Sequence, residues 1–149
     1  MVKLGDLFSI ITSKGYAYLH YAYHDHSIGD MVRVLPGIYL EQPDNLETLV
    51  NKDEMFNVFF PLKPAIKKKK VTKLGNYSLN GFKVPNKMRI DHHVKGVFIG
   101  WHIVDIDSWQ RELVTSLSDS QKKLSPWGVW NDTLLIERLE EGWSIDNWC

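Results

Sequence analysis

Apolar side chains open this chain in short runs separated by turn residues. Leu7, Phe8, Ile10 and Ile11 make the first run, and Tyr16 to His24 the second. In the third, Val32, Val34 and Ile38 alternate with Arg33 and Leu35. Such runs, rich in β-formers and bounded by Lys14-Gly15 and by "SIGD", predict a hairpin followed by a third strand. Pro36-Gly37 predicts a bend or bulge in the third. The period then changes in "QPDNLETLVNKDE". Leu46, Leu49 and Val50 fall at i, i+3 and i+4, with Asp44 as N-cap and Glu47 as its capping-box partner, so a short helix is expected.

"MFNVFFPL" is almost continuously apolar, which predicts a strand covered on both faces. From Lys63 to Ile90 the alternation is weak and the charge high, with turn signals at Gly75-Asn76 and Asn80-Gly81. A surface loop or short β-pair is expected there. "KGVFIGWHIVDID" is the clearest strand of the chain. "SLSDSQKKLSPWG" reads as a helical turn stopped by Pro126, and Asn131 or Asp132 caps a helix through Leu134, Leu135 and Leu139 that Gly142 ends. These elements predict one domain over residues 1–149, of α+β class and mainly β. Its form is a small SH3-like or partly open antiparallel barrel with a short internal helix and a C-terminal helix.

Composition adds three constraints. Hydrophobic residues make up 44% of the 149, enough for a core and against global disorder. The six tryptophans suit either a compact β-rich core or a partner-binding surface. The only cysteine is Cys149, so no intrachain disulfide is possible, and a reducing compartment is expected. The opening apolar run, "LFSII", is too short for a signal-peptide core or a membrane span, so the expectation is a cytoplasmic protein without membrane contact. Net charge is zero but unevenly spread. Residues 1–60 carry four basic and eight acidic groups, residues 61–100 ten and one, and residues 101–149 four and nine. Patches of this kind steer a charged partner.

The candidate chemistry starts with "HYAYHDH". His20, His24 and His26 share one parity, so a regular strand would present them on one face, opposite Tyr21 and Tyr23. Four residues of strand span roughly 13 Å, so only His24 and His26 can share a ligand, and Asp25 faces away. No zinc spacing with supporting cysteines accompanies them. The stretch reads as a polar strand end, and a metal-dependent hydrolase using these groups is a remote alternative. Asp105 and Asp107 share a strand face, and Glu140-Glu141 follow on the last helix, without further converging acids. No nucleophile elbow, zinc-protease helix motif or phosphate loop is present. No catalytic residue, metal set or cofactor is therefore expected. Lys67, Lys68, Lys69 and Lys70 form a basic run able to grip phosphates, with Tyr77 and Phe82 to stack bases. The neutral chain as a whole argues against nucleic acid as the partner.

"GDLFSI", "KGYAYLHYAY", "MVRVL", "GWHIVDIDSW" and "SPWGVWNDTLLIERLEEGW" together resemble the immunity protein 26 family, over most of the chain. Members of that family are predicted antidotes of bacterial polymorphic toxin systems, a function inferred from gene neighbourhood. The resemblance implies a non-enzymatic protein that binds and neutralises a cognate toxin, and it transfers no catalytic residue. The basic segment from Lys63 to Lys73 has no counterpart in it. If the toxin is a nuclease, acidic groups mimicking phosphates would meet it. The candidates are Asp105, Asp107, Glu137, Glu140, Glu141 and Asp146, with Trp127 and Trp148 as aromatic anchors. The alternative is a small nucleic-acid-binding module built on the basic segment.

Overall fold

A computed structural model describes residues 1–148, so Cys149 lies outside the described residues. The predicted hairpin forms from β1 (Asp6–Thr12) and β2 (Gly15–Asp25), paired antiparallel from Leu7↔His20 to Thr12↔Gly15. Gly15 is required at the turn because a Cβ there would stand 2.5 Å from the carbonyl oxygen of Tyr39. The third strand is β3 (Gly29–Val34), which pairs with β2, and β4 (Phe56–Phe59) adds to β3. Between them lies the expected helix, α1 (Leu46–Val50). Its cap is Asn45 rather than Asp44, since Asn45 Oδ1 accepts the Thr48 N–H at 3.0 Å.

The segment after β4 departs in part from the surface loop or short β-pair expected there. Leu62–Lys67 forms α2, and Val71–Asn76 forms β5, which pairs with the outer side of β1. The resulting sheet has the order β4-β3-β2-β1-β5. The first four strands form a meander and the fifth returns to the outer side of the first, an order compatible with the expected barrel, but β4 and β5 are not paired with each other, so the strands form an open antiparallel sheet. Both faces are covered. Phe8, Ile10, Leu19, Val32, Phe56 and Val58 pack beneath α2 and the C-terminal helix α3 (Asp132–Glu140) through Leu62, Ala65, Leu135 and Leu139. Leu7, Tyr18 and Leu35 pack on the other face against Leu49 and Val50 of α1.

A second sheet, β6-β7-β8, comprises β6 (Lys87–Val94), β7 (Val97–Asp105) and β8 (Arg111–Val114). Its Met88 and Val104 join Met31, Phe59 and Trp127 in a shared apolar cluster between the sheets. The segment from Ser125 to Trp130 stitches the two sheets together. It makes parallel bridges to β6 at Arg89↔Pro126 and to β4 at Phe59↔Val129. Ser125 Oγ accepts the Asn57 N–H at 2.9 Å, and the Phe59 carbonyl accepts the Trp130 N–H at 2.9 Å. The edge of β4 is thus covered rather than open to pairing with another chain. The helical turn expected before Pro126 is a 3-10 turn at Gln121–Lys123.

Candidate functional site

A β-bulge at Ala22 decides what the histidine stretch does. His20 pairs with Arg33 and Tyr21 with Val32, but the register then jumps so that Tyr23 meets Met31 and His24 meets Asp30. The extra residue inverts the alternation, so His20 and His24 lie on opposite faces of the sheet. The single histidine face expected from parity does not form, and His24 joins the face of Tyr21.

His20 is fully buried. Its Nε2 faces two carbonyl oxygens, Gly5 at 3.1 Å and Tyr77 at 3.0 Å, and therefore carries the proton. Its Nδ1 accepts from Arg33 Nη1 at 2.7 Å. Burial pushes its pKa below the usual histidine value, a trend the two carbonyls oppose and the Arg33 charge reinforces. Arg33 also donates to Glu54 Oε1 at 2.8 Å and to the carbonyls of Val50 and Lys52. Burial works to raise the Glu54 pKa, but the Arg33 hydrogen bond and charge outweigh it and hold the carboxylate below its ordinary range. This network fixes α1 and its flanking loop against the sheet. On the other side of the sheet, buried Asp30 Oδ1 accepts from Tyr21 Oη at 2.6 Å and pairs with His24 Nδ1 at 2.8 Å. The His24 and His26 rings stand edge to face at 5.6 Å. Among the described residues no three His, Cys, Asp or Glu converge to hold a metal ion.

The acidic candidates are dispersed. Asp105 Oδ1 accepts the N–H groups of Asp107 and Ser108, closing the turn between β7 and β8, and these bonds hold its pKa low. Glu140 on α3 accepts the Ser13 N–H at 2.6 Å, which ties the helix to the β1–β2 turn. Glu137 on the same helix and Glu141 at its C-cap, the latter paired with Arg138 at 3.6 Å, are exposed, as are Asp107 and Asp146. Asp146 lines a cavity of about 660 Å³ with Trp148, Trp101, Lys122 and Lys123. Of the aromatic anchors, Trp127 is buried against Phe59 and Trp109, so it serves the junction between sheets. Trp148 lies over the Arg89 guanidinium at 4.1 Å, with Trp101 on Arg89 as well at 4.6 Å. The lysine run divides. Lys67 ends α2, while Lys68 to Lys70 form the exposed turn into β5.

One surface escaped the sequence reading. The β6–β7 hairpin ends in a two-residue turn, Lys95-Gly96, with φ of 51° and 79°, the left-handed geometry of a tight hairpin. At its tip Val94, Val97, Phe98 and Ile99 are 47%, 61%, 46% and 41% exposed. A bulge at Ile99, between the pairs His92↔Gly100 and His93↔Phe98, turns Phe98 onto the face of Trp101, with ring centroids 5.6 Å apart. Leu113 on β8 is exposed as well. The missed signal was the Lys95-Gly96 turn, which pairs β7 with β6, a strand that starts inside the segment expected as a surface loop or short β-pair. No helix among the described residues is long and apolar enough to cross a membrane. No family model, no curated protein and no solved structure matches the chain.

Proposed function

We propose that this chain is a non-enzymatic, immunity-like protein that binds and neutralises a cognate bacterial toxin in the cytoplasm. The observation that carries the reading is the exposed apolar tip of the β6–β7 hairpin, Val94, Val97, Phe98 and Ile99, held on a paired two-strand arm. Clustered exposed apolar groups are a mark of protein-binding surfaces. A scaffold role is supported by buried Arg33, which bonds both buried His20 and half-buried Glu54, while His20 and Arg33 also bond backbone carbonyls. Exposed Glu137, Glu141, Asp107 and Asp146 add negative charge suited to steering a basic partner.

The test is co-expression with the product of the adjacent gene, which this reading expects to be a toxin domain. Growth rescue and a complex on a sizing column are expected. Phe98→Asp should weaken that complex by roughly tenfold or more, as loss of a central aromatic anchor does. Absence of both rescue and complex sinks the proposal. A complex indifferent to Phe98→Asp but lost with Glu137→Lys/Glu141→Lys moves the interface to α3.

A further inference from the structure

Away from the hairpin tip, a cleft of about 580 Å³ opens where α2 passes the N-terminal segment and β5. Its walls are apolar: Val2, Phe8 and Ile66, with Met1 at the rim. Three lysines line it, Lys63 and Lys67 from α2 and Lys73 from β5, against one carboxylate, Asp6. Asp6 is fully buried and already committed. It accepts from Asn76 Nδ2 at 2.9 Å and from the Lys3 N–H at 2.8 Å, and pairs with Lys73 at 3.3 Å. These contacts outweigh its burial and keep its pKa below the ordinary value.

Lys63 and Lys67 are different. Neither forms an ion pair among the described residues. They stand at i and i+4 on a helix, where like charges repel. Lys63 occupies the first turn of α2, the positive end of the helix, and that turn holds no acidic residue. Lys67 in the last turn suits the helix dipole, but Lys63 in the first turn does nothing for α2, and neither ammonium has a carboxylate partner among the described residues. Two uncompensated ammonium groups beside an apolar cleft large enough for a small molecule complement an anion with a hydrophobic body.

We infer that this cleft binds a small anionic amphiphile, its carboxylate or sulfonate between Lys63 and Lys67 and its apolar part against Val2, Phe8 and Ile66. Recognition needs both halves, charge for the head and contact area for the body. Neutral or cationic molecules of the same length should be rejected.

The probe is anilinonaphthalene sulfonate, titrated into the folded protein and read by fluorescence. Saturable binding is expected, with decanoate displacing the dye at roughly tenfold lower concentration than decanol, the discrimination one charge-assisted contact supplies. Lys63→Ala/Lys67→Ala should weaken dye and decanoate together by roughly tenfold. Lys68→Ala/Lys70→Ala, adjacent in sequence but outside the cleft, should leave both unchanged. All substitutions are at exposed positions, and an unchanged melting temperature confirms that each variant is folded. No saturable binding, equal displacement by decanol, or equal loss in both double variants overturns the inference.

Discussion

At the residue scale the governing feature is where parity breaks. Alternation along β2 assigns His20 and His24 to one face, and it fails because Ala22 is a bulge residue that neither hydrophobicity nor propensity marks. The consequence is two separate polar clusters. The one around His20 makes stability depend on pH. His20 is held neutral, with a folded-state pKa below its ordinary value of 6.5. Above that value neither folded nor unfolded chain is protonated there, and the group is silent. Below it the unfolded chain takes up a proton that the folded chain resists, so stability falls as pH drops, by at most about 1.4 kcal/mol per pH unit for one proton. Glu54 and Asp6, whose folded pKa values are depressed, add a second loss as pH falls through the ordinary carboxylate range, where the unfolded chain protonates first. Urea midpoints measured from about pH 7 to 3 should therefore decline in two stages. His20→Gln should shrink the upper stage to what His102, whose pKa burial also lowers, contributes, and keep the lower. A flat profile between about pH 7 and 5 in the parent protein contradicts this assignment.

At the element scale, strands bounded by strong turn chemistry were legible and strands defined by tertiary pairing were not. β1, β2 and β7 carry long β-forming runs, and α3 has its Asn131 cap and Gly142 stop, so local signals sufficed. β5 is mostly polar, "VTKLGN", and is a strand because the outer edge of β1 supplies its hydrogen bonds. The same holds for β8, "RELV", which is fixed by β7. α2 contains Pro64, which disguises it, yet its position in the first turn costs no helical hydrogen bond. The candidate site was legible only in its charges. The apolar tip was hidden because a strand and an exposed hairpin arm share one pattern. Gly100 tests the β7–β8 pairing. A Cβ there would lie 2.5 Å from the Val114 carbonyl oxygen, a backbone atom that cannot swing aside. Gly100→Ala should cost about 1–3 kcal/mol by forced separation of the strands. Hydrogen exchange should show it as loss of protection in Arg111–Val114 ahead of β6, and unchanged protection across β8 would refute the close approach.

At the scale of the whole molecule, the tryptophans divide into two aromatic chains that fasten the sheets and the C-terminal segment together. One runs Trp101–Trp148–Trp143–Trp130, with centroid spacings of 5.0, 5.4 and 5.0 Å, and ends on Phe56 of β4. The other joins Trp109, Trp127 and Phe59. Arg89 locks the first chain from the second sheet. Buried between Trp101 and Trp148, it donates to the carbonyls of Trp148 and Lys122 at 3.2 and 3.1 Å. The aromatic content that suits either core or interface is thus spent largely on internal joints, and the hairpin tip projects from a sheet held on two sides. Trp143 is the hinge of this arrangement, since its ring meets Phe56, Trp130 and Trp148 at once. Trp143→Ala should destabilise by about 3 kcal/mol through lost area and the void left between three rings. Because its ring joins Phe56 of the first sheet to Trp148, which packs in turn on Trp101 of the second, the loss should appear as one cooperative transition at a lower urea midpoint. If instead the C-terminal segment alone gains hydrogen exchange while the midpoint stays fixed, the segment is an accessory layer and the two sheets hold together through Ser125–Trp130 without it.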